Sequence, residues 1–333
     1  MLLALALFAA SRLPSSLAHI AFWHPSMWGF NISDHADFPY DNRPVTPLFN
    51  MTFQQWWFHN HLDYPPHLED VFDLPAGGIA RAELACHKDA TTWHSPDHDI
   101  RQGNNPCPHS PTSAYHTAGL GDVKGCALAI AYKSDVKEVQ PEDFVVFSVN
   151  HTCVWNRFTD FQVPAAMPPC PDGRCICAWF WIHSPDSGSE QNVRYSTTPL
   201  AFMPVANLTN SKYMNGFQCS VSGSTSHRPV GRPGFARRCG EDLRAGKPAD
   251  PRNCTIGAKQ PFYWLQRERN NMLEDYYSPP FYNDLYGFKD GAQDDIFEDG
   301  HSAADAILPY DGTSAGILLS SRPRRVPRAF LSQ

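Results

Sequence analysis

The sequence contains no apolar run of 18 or more residues, and this absence excludes a conventional transmembrane helix. It also has no basic excess, since 27 Lys and Arg stand against 34 Asp and Glu among 333 residues, a formal charge of −7. Nucleic-acid binding through the phosphate backbone therefore has no electrostatic basis. Glycine-rich phosphate-binding loops are missing as well. So is the strand–helix alternation of a doubly wound fold.

Aromatic residues, by contrast, are abundant. They make up 13% of the chain, hydrophobic residues 42% and charged residues 18%. This composition belongs to a chain that buries a large core and is not disordered. The 30 prolines and 21 glycines predict many turns and loops.

The amino-terminal region and the cysteine content both point to secretion. The apolar run Leu2 to Ala10, followed by Ser16-Leu17-Ala18, is typical of a signal peptide over residues 1–18. All 10 cysteines follow Ala18, an even number that suits disulfides in an oxidising compartment. Sequons for N-glycosylation begin at Asn31, Asn50, Asn150, Asn207 and Asn253. We expect a secreted, extracellular protein without a membrane partner.

Four segments have the composition of β-strands. They are Ile79 to Cys86, Cys126 to Tyr132, Phe144 to Val149 and Ile176 to His183. Apolar, β-branched and aromatic residues dominate them, and long connections rich in Pro, Gly, Asn and Asp lie between them. Short strands with long loops predict an all-β antiparallel sandwich.

Two other segments are candidates for short helices, and the end of the chain has a distinct composition. The helix candidates are Thr52 to Phe58, with Thr52 as N-cap, and Phe262 to Tyr277. From about residue 285 the chain becomes acidic, and it ends in a group of arginines. This charge pattern predicts a solvated, flexible C-terminal extension over residues 286–333.

Cleavage after Ala18 would make His19 the first residue of the mature chain. An amino-terminal histidine offers its α-amine and its imidazole to one metal ion, and a second histidine supplies a third nitrogen. Cu(II) prefers such tetragonal nitrogen ligation. With 15 histidines in the chain, a histidine can also stand at this position by chance. His19 alone therefore suggests copper without establishing it.

Several blocks rich in rare residues surround this chemistry. They are HIAFWHPSMWGFN (19–31), DNRP (41–44), WWFH (56–59), DVKGC (122–126), VNHTCVW (149–155) and CPDGRCICAWFWIH (170–183). In these blocks the chain resembles the fungal lytic polysaccharide monooxygenases of auxiliary activity family fourteen, a group described as acting on xylan. The resemblance covers most of residues 19 to about 265.

This resemblance implies an immunoglobulin-like antiparallel β-sandwich with long loops and a few short helices over residues 19–285. It also implies one copper ion per chain, held in a histidine brace. His19 would be the first ligand, His116 in SAYHTAGLG the second, and Tyr213 the residue near the axial position. The cysteine pairing that the resemblance implies is sequential: 86–107, 126–153, 170–175, 177–219 and 239–254.

The residues by themselves leave other histidines open as ligands. His59 and His61 form an H-x-H pair that would suit a metal site on a strand. The surrounding sequence reads as helical, however, and residues two apart on a helix do not face each other. A further group crowds one loop and could form an adventitious site: His87, His94, His98 and His109.

Residues 193–212 depart from the family pattern. We expect Ser189 to Asn192 to run almost directly into Tyr213, yet 20 residues intervene. A stretch of that length corresponds to a short intron, and our hypothesis is that it is a translated intron. A spliced transcript that retains these codons would contradict this hypothesis. Tyr195, the alternative to Tyr213 as axial residue, lies inside the segment.

The function implied by the resemblance is copper-dependent oxidative cleavage of glycosidic bonds, in xylan associated with cellulose. It needs an external electron donor and oxygen or hydrogen peroxide, and we expect a monomer. Trp23 and Trp28 would either stack on sugars or, as we favour, lie in the core. Two other functions remain open: a secreted copper-binding protein without oxygenase activity, serving copper acquisition, or a non-catalytic carbohydrate-binding wall protein.

Overall fold

The computed structural model describes residues 19–32, 40–184, 212–243, 246–274 and 278–303. The strands are β1 (Ala21–Trp23), β2 (Phe72–Pro75), β3 (Ile79–Ala85), β4 (Cys126–Ala131), β5 (Val145–Asn150), β6 (Phe158–Gln162), β7 (Cys175–Ile182), β8 (Lys212–Ser222), β9 (Thr255–Ile256), β10 (Gly291–Ala292) and β11 (His301–Ser302). One short α-helix, α1, spans Phe53–Trp56. Single 3₁₀ turns cover Trp57–Asn60, Lys88–Ala90, Thr112–Tyr115, Leu120–Asp122, Val136–Glu138, Pro141–Asp143, Pro171–Gly173, Pro251–Asn253 and Asp284–Tyr286.

These strands form the predicted all-β sandwich. The large sheet has the order β10-β5-β4-β7-β8-β2, and a smaller sheet has the order β1-β3-β6. Pairing is antiparallel throughout the two sheets except between β2 and β8, which run parallel. A short ladder joins β9 to β11. The four strands predicted from the sequence correspond to β3, β4, β5 and β7, each within a residue or two at its ends.

Both faces of the large sheet are buried, which explains why β4 and β7 are apolar along their whole length. Alternate residues of β7 enter two different cores. Trp179 and Trp181 pack in the core beneath the smaller sheet, whereas Phe180 packs in the second core against α1 and the 262–288 region. Trp23 and Trp28, each 5% exposed, are core residues as favoured. No helix within the described ranges is long and apolar enough to cross a bilayer.

The first helix candidate is confirmed only over Phe53–Trp56, and the second is wrong. Thr52 precedes α1 and forms a capping box with Gln55, as its position predicted. Residues 262–274, by contrast, contain no helix, and residues 275–277 lie outside the described part of the chain. Leu265 and Arg269 have φ values of +54° and +59°, a left-handed backbone that interrupts any regular helix.

The five disulfides pair the cysteines in sequential order, and this confirms the pairing implied by the family resemblance. They join 86–107, 126–153, 170–175, 177–219 and 239–254. The 126–153 bond lies at the end of β4 that is closest to the site described below, and the 177–219 bond cross-links β7 and β8. The strands that carry site residues are therefore covalently tied to their neighbours.

The described part of the predicted C-terminal extension packs against the sandwich, where a solvated chain was expected; residues 304–333 lie outside the described residues. β10 pairs with β5, and β11 pairs with β9. Phe288 and Ile296 are fully buried between the acidic positions. Asp295 accepts a hydrogen bond from the buried Lys259 Nζ at 2.8 Å. Apolar residues between the carboxylates pack against the sandwich, and the prediction from net charge did not take them into account.

Candidate metal centre

Neighbouring strands bring the predicted ligands to one end of the large sheet. Cys126 of β4 pairs with Trp181 of β7, and Trp181 pairs with Tyr213 of β8. His116 lies in the loop that leads into β4, and His19 stands shortly before β1. The antiparallel register therefore determines which residues meet at this end.

The three predicted site residues lie close together. Their ring centroids are 5.8 Å apart for His19 and His116, 6.3 Å for His19 and Tyr213, and 6.4 Å for His116 and Tyr213. The two imidazole planes make an angle of 79°. The Tyr213 hydroxyl lies 3.3 Å from Nε2 of His116. Residues distant in sequence thus form one compact cluster.

His19 is electrostatically prepared for metal binding. Burial first, and then the positive charge of Arg43, lower the pKa of its imidazole to about 4, with Asp41 opposing them. The ring is therefore neutral at pH 7, the form that ligates metals. Its Nδ1 is buried and has no hydrogen-bond partner among the described residues. Such an orphaned nitrogen costs about 1–3 kcal/mol unless it finds a ligand.

These donors fit a copper ion. The His19 ring lies near Nε2 of His116 and the phenol of Tyr213, its Nδ1 has no partner among the described residues, and an α-amine on His19 would add a third nitrogen. Nitrogen-rich tetragonal sites favour Cu(II). In the described part of the chain, no group of three or more His, Cys, Asp or Glu side chains is arranged to hold a metal. The fit therefore depends on the α-amine and Tyr213 as well as the two histidines.

Two aromatic neighbours of the cluster were not identified as site residues from the sequence. His183 is 1% exposed, and its ring stacks on His116 with centroids 3.9 Å apart and planes 14° from parallel. Burial lowers the pKa of His183 to about 4. Trp181 stacks on Tyr213 at 4.6 Å. The sequence did contain a signal for them: Trp181 and His183 are two residues apart at the end of a predicted strand, and such residues lie on the same face of the sheet.

Asn215 is a further residue that sequence reasoning missed. It is 2% exposed and lies on the same face of β8 as Tyr213. Its Oδ1 accepts a hydrogen bond from the Phe22 backbone N–H, and its Nδ2 donates to the Pro44 carbonyl, both at 3.0 Å. One amide thus ties β1 and the 41–46 segment, which includes Arg43, to the strand that carries Tyr213.

The other histidines lie apart from this cluster. His59 and His61 are both 1% exposed, and their rings stack at 5.6 Å. The region is not a regular helix, because Phe58, His59 and Asn60 have positive φ values. The helical geometry that was expected to point the two rings in different directions is therefore absent. The loop histidines make local contacts at the surface, such as His94 Nδ1 with the Ser95 carbonyl at 2.9 Å. Tyr195 lies outside the described residues.

The chain is similar to known proteins over most of its length. A family model described as lytic polysaccharide monooxygenase AA14 matches residues 1–198 and 201–322. The chain belongs to the AA14 family. The match extends over the amino-terminal region with His19, over the loop with His116 and over the strand with Tyr213.

Curated AA14 relatives are similar over most of this chain. A protein of Trametes coccinea named AA14 family lytic polysaccharide monooxygenase B is 63% identical over 88% of the chain and 66% of its own length. A protein of the same name from Pycnoporus cinnabarinus is 61% identical over 87% of the chain and 72% of its own length. The A protein of Trametes coccinea is 55% identical over 93% of the chain and 68% of its own length. The chain spans about two thirds of the length of these relatives.

Proposed function

We propose that this AA14 protein is a secreted copper-dependent lytic polysaccharide monooxygenase. The observation that carries the proposal is the proximity of His19, His116 and Tyr213 to one another. One copper ion bound there would supply redox chemistry, driven by an external electron donor and by oxygen or hydrogen peroxide. The reaction is oxidative cleavage of a glycosidic bond.

His19 and His116 hold the ion in this proposal. His19 binds through its Nδ1 and, after cleavage behind Ala18, through its α-amine, whose ordinary pKa of about 7.7–8.0 lets a metal displace its proton at neutral pH. His116 binds through Nε2, which faces the Tyr213 hydroxyl. Removal of residues 1–18 as a signal peptide is thus part of the proposed activation.

Tyr213 occupies the inner side of the site. It is fully buried and packed on Trp181, so its phenol has little freedom to leave the cluster. Its phenol would lie beside a bound ion and help to keep other ligands away from that side. His19 is only partly buried, so an insoluble polysaccharide could approach from its side.

The substrate that we propose is xylan associated with cellulose, the substrate class attributed to the family. Residues 193–212 remain in our proposal an insertion relative to the family; apart from Lys212 they lie outside the described residues. The copper site itself does not require them.

The test is a Cu(II) titration by calorimetry with EPR of the loaded protein. Protein beginning at His19 is compared with a matched version that carries one extra residue before His19. We expect tight one-to-one binding with a type-2 signal for the first and a large loss for the second. Weak binding that ignores the extra residue would contradict the proposal.

A product assay then separates catalysis from metal storage. Copper-loaded protein is incubated with xylan-coated cellulose, with and without ascorbate. Oxidised oligosaccharides that appear only with the reductant support the monooxygenase. Tight copper binding without such products would indicate a copper-binding protein that lacks oxygenase activity.

A further inference from the structure

The backbone at His116 has an uncommon conformation. Its φ is +51°, in the left-handed region. This region costs a residue with a side chain about 1–2 kcal/mol, and such strain persists only where surrounding contacts impose it. The contacts around residues 116–122 therefore matter for the position of the imidazole.

Asp122 makes the contacts that cross from this loop to the sheet. Its Oδ2 accepts a hydrogen bond from the Ala118 backbone N–H at 3.0 Å. Its Oδ1 accepts a hydrogen bond from Ser184 Oγ at 2.6 Å. Lys124 Nζ lies 3.3 Å from the same carboxylate. Because Ala118 is two residues after His116 and Ser184 follows β7, one carboxylate joins the loop to the end of that strand.

His183 connects this tether to the imidazole. Its Nδ1–H donates to the Ser184 carbonyl at 2.9 Å, since a carbonyl only accepts. Its ring lies flat against that of His116. When Asp122 fixes Ser184 and Ala118 together, it fixes the two stacked rings relative to each other as well.

The other support within the loop is local. Thr117 Oγ1 donates to the Gly119 carbonyl at 2.6 Å and accepts from the Gly119 N–H at 3.1 Å. These bonds shape the turn but do not reach β7. Asp122 therefore adds hydrogen bonds between the turn and the strand end to the ring contact of His116 with His183.

We propose that Asp122 is a positioning residue for the metal centre. Its carboxylate ties the His116 loop to Ser184 and so keeps the His116 imidazole aligned with His19 and Tyr213. This inference rests on the proposed copper site and extends it to a residue that does not touch the ion. Loss of the tether leaves the ligands present but less well oriented.

The experiment compares three variants near the site with one control. Asp122→Ala removes both hydrogen bonds, Ser184→Ala removes one, and Asp122→Asn keeps an acceptor oxygen but loses the charge. The control is Asp143→Asn at the opposite end of the sheet. There Asp143 Oδ2 accepts from the Gln140 N–H at 2.7 Å and from Lys133 Nζ at 2.6 Å.

Two readouts are measured on folded protein. In metal-free protein, hydrogen exchange of a peptide covering residues 113–122 should be faster in Asp122→Ala and unchanged in the control. When Cu(II) is titrated into the protein, the affinity for Cu(II) should fall about 10-fold or more in Asp122→Ala. This is the range typical of residues that orient metal ligands without touching the metal. Ser184→Ala and Asp122→Asn should lose less Cu(II) affinity than Asp122→Ala. The variant with the largest loss of affinity should also show the largest change in EPR hyperfine coupling of the bound copper.

The outcomes separate this inference from the proposed function. If wild-type protein binds copper and Asp122→Ala keeps the same affinity and EPR signal, the positioning role is wrong while the copper site stands. If exchange in the 113–122 peptide is unchanged without metal, the tether itself is wrong. If wild-type protein binds no copper, the proposed function fails and this inference fails with it.

Discussion

Two buried histidine pairs in this molecule look alike and differ in what surrounds them. His116 and His183 stack at 3.9 Å, and His59 and His61 stack at 5.6 Å. All four are 3% exposed or less. Only the first pair lies beside the Tyr213 hydroxyl, and it contacts His19 through His116.

The second pair lies in a different environment. His59 follows Trp57 and Phe58, which belong to the second core. Burial of a histidine is therefore a poor indicator of a ligand. Proximity to His19 and to the Tyr213 hydroxyl is what distinguishes His116.

The largest difference between the two histidine pairs should be in how much a substitution weakens Cu(II) binding. His116→Ala should weaken Cu(II) binding on the order of 100-fold or more, because loss of a ligand exceeds loss of an outer partner. The matched variant His59→Ala should leave the affinity unchanged, although it creates a cavity and lowers stability. Calorimetric titration of both checks this. Equal losses of affinity would show that the pairs were assigned wrongly.

Acid should destabilise the metal-free protein. Burial lowers the pKa of His24 and His183 to about 4 from an ordinary value of 6.5. Between these values the unfolded chain binds protons that the folded chain excludes, so stability falls as the pH drops from about 6.5 towards 4. Each histidine contributes at most about 3 kcal/mol. Urea unfolding at several pH values measures this, and a smaller pH dependence in His24→Gln is the expected control.

Replacing His59 by leucine should cost little at neutral pH and help in acid. The pKa of His59 is lowered well below its ordinary value, mainly by burial. Wild-type protein therefore loses stability as the pH falls, and leucine removes that loss. We expect a free energy of unfolding within about 1 kcal/mol of wild type at pH 8 and above wild type at pH 5. A variant that is much less stable than wild type at both pH values would contradict the view that the buried His59 lowers the stability of the folded protein in acid.

Tyr213→Phe should give the smallest effect on affinity. It keeps the packing on Trp181 and removes only the hydroxyl near Nε2 of His116. We expect a change of a few-fold at most in the Cu(II) dissociation constant, on the order of 1 kcal/mol, together with an altered EPR spectrum. An unchanged spectrum would show that the phenol does not face the ion.

The sequence was most informative where local pattern and packing agree. The apolar runs of β4 and β7 predicted buried strands, and Thr52 with Gln55 marked the start of α1. The segment from Phe262 failed as a helix because its aromatic side chains cover one face of the sheet in an irregular path. The sequence pattern did not predict β1, because that strand is only three residues long.

The site depended on information that a single pattern does not contain. His19 and the resemblance to the family led to His116 and Tyr213. Local sequence gave no indication of Asn215, because its role depends on the Phe22 N–H and the Pro44 carbonyl, which only the fold brings together. Asp122 is a similar case, since its partners lie on a loop and on the end of another strand.

The central claim is that His19, His116 and Tyr213 form one copper centre. The most direct test is a crystal structure of copper-soaked protein that begins at His19, with anomalous data collected on both sides of the copper edge. The account predicts one strong peak, within bonding distance of the α-amine and Nδ1 of His19 and of Nε2 of His116. A main peak at His59 and His61 or at the surface histidines, or no peak at all, would contradict it.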